Sequence, residues 1–339
     1  MTFNPFPVGK LPAAELATLL RGMSFDDHPR VVLGPGIGLD CAILDMGDTY
    51  LAIKSDPITF ATEEIGWYAV HVNANDIATT GATPRWFLAT VLLPEGHADR
   101  EMVTRVFEQM RSACKTLGIA LVGGHTEITA GLPRPVVAGT MLGEVAPANL
   151  ITPEGLKPGN RILLTKGVPL EAASILSHEL PLEDLLPQKV VAVARRYLHE
   201  PGISVVADAH HACAAGGVTA MHDPTEGGVK TGLIELAQAA GVALHIYPHA
   251  IPIPPEAGQV CQAAGIDPLE ALSSGALLLA AEPDRAEDIL NNLREEGIPA
   301  ADIGTAVEGE GVWFLEATAK TAVALPRRDA IARLFEEKS

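Results

Sequence analysis

Four aspartates are the residues of this chain best placed to do chemistry: Asp40 in LGPGIGLDCAIL, Asp56 in LAIKSDPITF, Asp76 in HVNANDIATTGATP and Asp223 in MHDPTEGGV. The stretch around Asp76 has helical spacing, with Val70, Ala74 and Ile77 at i, i+4 and i+7 forming an apolar stripe. A second stripe, Asn73, Asp76 and Thr80, carries none of the Lys, Arg or Glu of an ordinary solvated face. Left unpaired in a core, the amides of Asn73 and neighbouring Asn75 would cost roughly 1–3 kcal/mol each and Asp76 more. A divalent cation is a natural partner for Asp40, Asp56, Asp76 and Asp223, because Mg²⁺ combines a few carboxylates with waters and substrate phosphates. Acids of this kind beside glycine turns suggest a Mg-nucleotide site.

The motifs around these acids leave alternatives open. Gly34, Gly36 and Gly38 do not make a dinucleotide fingerprint, since Leu39 stands where the third glycine is needed and the stretch enters a strand. A phosphate-contacting loop and a plain turn both fit. Pro57 is expected to end a strand and leave Asp56 at its terminus, where acids are also common turn formers. LVGGHTEITAG reads as a strand-ending turn: Gly123 and Gly124 let a backbone pass close to a ligand, and His125, Thr126 and Glu127 can donate, accept or bind a cation. A satisfied histidine on such a turn is the bland alternative. Asp223, Pro224 and Glu226 suit N-cap, N1 and N3 of a helix. Gly227 and Gly228 would then each sacrifice about 1 kcal/mol of helix propensity in the first turn, which the close approach of another group explains.

The elements that carry these residues follow from periodicity. Short β-like runs over 31–33, 41–45 and 50–54 precede a helix over 64–80, a strand over Arg85–Leu93, a helix over 99–117, a short run Ile119–Val122 and a strand Pro135–Val145. Ala146–Asn160 is rich in Pro, Gly and Asn and reads as a domain boundary. Beyond it come the strand RILLTKGV, a helical region to about 213, a helix over 226–240, the strand VALHIY, a Pro-rich loop HAIPIPPEAG, and GALLLAAE, DRAEDILNNLREEG and ADIGTAVE as strand, helix and strand.

Composition narrows the classes. At 339 residues and 47% hydrophobic, the chain can fill two cores. A net charge of −18 with scattered Lys and Arg argues against a nucleic-acid partner. No apolar run reaches the roughly 18–20 residues of a membrane span and no signal peptide is apparent, so a cytoplasmic location is expected. Cys41, Cys114, Cys213 and Cys261 form no C-x-x-C pair and are expected to be buried thiols. His71, His210, His211, His222 and His249 are read as packing or surface residues.

Taken in chain order, GLDCAIL, SDPITF, NANDIATTGATP, VGGHTEITAG, DPTEGG and SSGALLLA resemble the aminoimidazole ribonucleotide synthetase superfamily over nearly the whole chain. That group includes thiamine-monophosphate kinase, selenophosphate synthetase, formylglycinamidine ribonucleotide synthase and the hydrogenase maturation protein that dehydrates a thiocarboxamide. DPTEGG and SSGALL are closest to the last branch. The resemblance implies a two-domain α+β fold, with residues 1–148 binding ATP and Mg²⁺ and pairing strands in a homodimer, and residues 149–339 forming an α/β sandwich. It implies metal contacts from Asp40, Asp56, Asp76 and Asp223. Nucleotide contacts would come from Asn73, Asn75, Gly123, Gly124, Thr126, Gly227 and Gly228, and acid–base work from His125 or Glu127. Three departures stand out: Leu39 replaces the first of a pair of acids, the chain ends RLFEEKS where the maturation branch carries a cysteine, and no N-terminal cysteine matches that of selenophosphate synthetase. Neither of those two reactions is therefore expected to run here. The implied chemistry is attack of an amide-like oxygen or small nucleophile on the γ-phosphate of ATP; a small-molecule kinase and a non-catalytic nucleotide-binding accessory are the alternatives.

Overall fold

The computed structural model describes residues 6, 9, 11–21, 28–36, 38–59, 63–326 and 328–336. Ile37 of the glycine loop and the last three residues of RLFEEKS lie outside them. After helix α1 (Ala13–Leu20), the first unit is built from β1 (Val31–Leu33), β2 (Ala42–Asp45), β3 (Tyr50–Ile58), α2 (Ile65–Thr79), β4 (Thr83–Pro94), α3 (Arg100–Leu117), β5 (Ala120–Thr129) and β6 (Val136–Val145). Its six strands lie in the order β1-β2-β3-β6-β4-β5, antiparallel except for the β4–β5 pair.

Helix α2 is buried along nearly its whole length, so both stripes read from its sequence face inward. It has no side-chain N-cap, and Glu64 before it is left-handed at φ 54; burial rather than capping holds it. Helix α3, amphipathic at the surface, uses local signals instead: the Asp99 side chain accepts the Met102 N–H at 2.8 Å, and Gly118 at φ 68 ends it. One glycine of β6 sets how closely α2 meets the sheet. A Cβ on Gly139 would lie 2.5 Å from the Asn73 amide nitrogen.

The second unit contains β7 (Arg161–Thr165), α4 (Leu170–Glu179), α5 (Gln188–Arg196), α6 (Val206–Ala215), β8 (Val218–His222), α7 (Gly228–Ala240), β9 (Ala243–Ile246), α8 (Pro255–Ala264), β10 (Leu278–Ala281), α9 (Ala286–Glu295), β11 (Ala300–Val307), β12 (Gly311–Leu315), β13 (Lys320–Ala322) and α10 (Ala330–Glu336). Seven strands order as β13-β12-β9-β11-β7-β10-β8. Alternation along β7 sends Ile162 and Leu164 into one core with Val229 and Leu233 of α7, and Leu163 into another with Ala209 of α6 and Ile289 of α9. The sheet is thus covered on both faces. Helices α4, α5, α8 and α10 share a further apolar cluster, and the chain has the two-domain α+β fold expected of it.

Several boundaries differ from the sequence reading. Pro57 does not end β3, because β2 pairs with β3 only as far as Ile53 while β6 continues to Ile58; beyond Ile53 the strand has one open side, where a missing N–H is tolerated. LVGGHTEIT is one continuous strand rather than a turn, paired with β4 apart from an irregularity at Val122. Helix α7 starts at Gly228, so Asp223 is not its N-cap. The Pro-rich loop opens helix α8 with Pro255 in its first turn.

Candidate metal centre

Three carboxylates from distant parts of the chain converge between the two units: Asp40 on the loop before β2, Asp76 on α2 and Asp223 just past β8. One oxygen of each lies within 4.8 Å of the others. Asp223 is only 2% exposed, and neither of its carboxylate oxygens has a hydrogen-bond partner. Two cationic side chains border the group. The Lys54 ammonium is 2.9 Å from Asp76 Oδ2 and 3.8 Å from Asp56 Oδ2. His222 is held between two acids, its Nδ1 3.1 Å from Asp40 Oδ2 and its Nε2 3.1 Å from Glu235 Oε2.

The electrostatics reflect crowding of like charge in a dry place. Burial pushes the Asp76 carboxyl up to about 6, against the pull of Lys54 and with help from Asp40. Burial, then Asp76 and Asp40, lift Asp223 well above the carboxylate range. Burial opposes charge on Lys54 and His222, but their acidic neighbours win and raise both. An oxygen-only donor set of three acids suits a hard cation such as Mg²⁺. Two orphaned oxygens on a buried acid are otherwise a large uncompensated penalty, so the residues present fit the ion.

The two amides of α2 have structural partners. Asn73 Oδ1 accepts the Asp56 N–H at 2.9 Å, and its Nδ2 donates to the carbonyls of Asp56 at 3.2 Å and Ala69 at 2.8 Å. Asn75 Oδ1 accepts the Val205 N–H at 2.8 Å and its Nδ2 donates to the Ile203 carbonyl at 2.8 Å. Both expected nucleotide contacts are main-chain clamps that fix α2 to β3 and to the second unit. Asp56 itself, with 39% of its side chain exposed, stands at the rim of the group rather than among the three converging acids.

Gly227 and Gly228 also differ from expectation. Both are left-handed, at φ 76 and 66, and a Cβ on Gly228 would lie 2.6 Å from the Leu269 carbonyl. The close approach is made by the chain itself. Their N–H groups are taken too, by Asp329 Oδ2 at 2.8 Å and the Thr225 carbonyl at 3.0 Å. Gly124 likewise admits the neighbouring strand, since its Cβ would sit 2.0 Å from the Ala89 carbonyl.

His125 and Glu127 do not join the acids. They lie 3.4 Å apart on β5, exposed with Gly123, Gly124 and Thr126. Asp56, Gly139, Ala89 and Gly124 form one cross-strand row, so β5 is three strand spacings, about 14 Å, from Asp56. Within one chain, His125 and Glu127 therefore stand apart from the converging acids. Lys54, His222 and Glu235 were missed by sequence reasoning. Strand alternation carried a signal for Lys54, which shares a face with buried Ala52 and with Asp56; His222 had only its place next to Asp223. Cys41, Cys114 and Cys261 are buried thiols and Cys213 is half-buried; the Cys41 thiol donates to the Asp76 carbonyl at 3.2 Å. Among the described residues no helix is long and apolar enough to cross a membrane.

Comparison with known proteins agrees with the fold. Residues 38–145 match the N-terminal domain of AIR synthase related protein, and residues 157–314 match its C-terminal domain. The carbamoyl dehydratase HypE of Azotobacter vinelandii is 31% identical over 258 residues, 75% of this chain and 73% of that protein. The crystal structure of HypE from E. coli, a hydrogenase maturation protein, superposes with a TM-score of 0.73 at 26% identity, covering 95% of this chain and 99% of that one. Thiamine monophosphate kinase from Aquifex aeolicus shares the fold, with a TM-score of 0.66 at 19% identity over 88% of this chain and 94% of its own. With both domain models matched and a relative of this identity spanning three quarters of the chain, the protein belongs to the AIR synthase related family.

Proposed function

We propose that the protein uses ATP and Mg²⁺ to activate the oxygen of a small amide-like or similarly polar acceptor. It is an ATP-dependent enzyme, and its HypE relatives are named for dehydrating a carbamoyl group. Such a dehydration needs the amide oxygen turned into a leaving group. The oxygen attacks the γ-phosphorus as the bond to ADP breaks and one nitrogen proton leaves to water; the oxygen then departs with phosphate as its bond to carbon breaks, the nitrogen giving its second proton to water and forming the triple bond to carbon. The observation that carries the reading is the meeting of Asp40, Asp76 and the unpartnered, buried Asp223.

Asp40, Asp76 and Asp223 would hold the ion, which when bound shields phosphate charge and polarises a phosphoryl oxygen. His222 orients Asp40, Lys54 orients Asp76, and Asn75 keeps α2 in register with the segment that leads to Asp223. The exposed edge strand β5, with Leu121, Val122 and Ile128 open to solvent, supports a homodimer through this edge. His125, Thr126 and Glu127 keep a place in catalysis only through such a dimer. The test is product analysis by phosphorus NMR with ATP, Mg²⁺ and a panel of carbamoyl and amide acceptors. Free phosphate formed together with a dehydrated acceptor supports the proposal; a stable phosphorylated acceptor makes the protein a kinase, and unchanged ATP with every acceptor removes the enzymatic reading.

A further inference from the structure

Lys54 places a fixed positive charge among the acids proposed above to hold metal. Its side chain leaves β3 on the face shared with buried Ala52 and with Asp56. The side chain is 19% exposed, and its ammonium lies 2.9 Å from Asp76 and 3.8 Å from Asp56. A lysine head group is a compact point charge with three donors, and at these distances it makes the charge-assisted contacts that a bridging cation would otherwise make. Among the described residues, Asp40, Asp76 and Asp223 are the only three acids or other ligand-type side chains whose donor atoms converge for one ion. Asp56, the fourth acid, is outside that group, and Lys54 stands between it and Asp76.

We infer that Lys54 is a built-in replacement for a second divalent cation, so that each chain takes one ion, at Asp40, Asp76 and Asp223, where the unencumbered acids would take two. The inference rests on the proposed metal role of those three acids. It assigns to Lys54 a specificity that neither charge compensation in general nor packing alone predicts: removal of the ammonium opens a site between Asp56 and Asp76 rather than merely loosening the fold. Arg at the same position keeps the charge and keeps the second site shut.

The experiment counts Mn²⁺, used alone as a spectroscopic substitute for Mg²⁺, by loss of the free-ion electron paramagnetic resonance signal on titration with the full-length protein. Wild type and Lys54→Arg are expected to bind one ion per chain and Lys54→Met two. Adding Asp56→Asn to Lys54→Met removes the second site's carboxylate and returns the count to one. Because the methionine variant leaves two acids without their cation, it is purified in Mn²⁺, and its melting temperature is expected to fall further on chelation than that of wild type. Two ions on wild type, or one on Lys54→Met with equal chelation effects, overturns the inference and leaves the metal reading of the three acids standing. No ion on any folded variant overturns both.

Discussion

Asn75 and Val205 are joined across 130 positions of chain: the Asn75 side-chain oxygen accepts the Val205 main-chain N–H at 2.8 Å, away from solvent. With the matching donation to Ile203 at 2.8 Å, this amide ties the helix that carries Asp76 to the unit that carries Asp223. Asn75→Ala leaves a buried N–H and a buried carbonyl without partners, a loss of about 2–4 kcal/mol. Urea unfolding checks it: the unfolding free energy should fall by that amount at an unchanged slope, with the midpoint moving down in proportion, and a loss under about 1 kcal/mol would mean that water readily replaces the amide.

Glu171, only 4% exposed, gives the protein a pH dependence of its own. Burial pushes its carboxyl from an ordinary 4.5 up to about 7, although Ser274 hydrogen-bonds to it. A carboxyl raised on folding contributes stability that is present below 4.5 and is lost as pH rises through about 7. The interval corresponds to about 3 kcal/mol at most, at 1.36 kcal/mol per pH unit. Glu171→Gln should therefore melt like wild type at pH 4.5 and above it at pH 8. Parallel melting curves across that range would show that Glu171 stays ionised in the fold.

The exposed edge of β5 predicts its own variant. Val122, 54% exposed in the single chain, faces away from the core with Leu121 and Ile128 nearby. Val122→Asp should leave the melting temperature of a monomer intact and halve the mass seen by light scattering. An unchanged dimer would place the interface elsewhere.

Asp223 should be a liability without metal. Its two unpartnered oxygens sit beside Asp40 and Asp76, so Asp223→Asn is expected to raise thermal stability in chelator by about 1–3 kcal/mol, the scale of a buried unsatisfied polar group. A destabilised asparagine variant would assign the acid a structural partner instead.

Much of this was legible from the chain because the acids sit in distinctive local sequence. Asp76 lies in a helix whose polar stripe lacks ordinary solvated residues, and that oddity pointed inward correctly. The partners of the amides are not legible there. Asn73 and Asn75 satisfy main-chain groups at Asp56, Ile203 and Val205, and no periodicity reports a hydrogen bond made across 128 or 130 residues. In sequence the Gly-Gly pairs look like openings for ligand, yet Gly124 and Gly228 make room for Ala89 and Leu269 of the same chain. The continuation of β3 through Pro57 depends on how far β2 extends beside it, a property of pairing rather than of the strand's own residues.

The proposed nucleotide site is organised by metal at Asp40, Asp76 and Asp223. Calorimetric titration of ATP, with and without Mg²⁺, into wild type, Asp76→Asn and Asp223→Asn tests it most directly. Binding that requires Mg²⁺ in the wild type and weakens at least tenfold, about 1.4 kcal/mol, in both folded variants is the expected result. ATP binding that ignores Mg²⁺, or that survives Asp223→Asn unchanged, would contradict it.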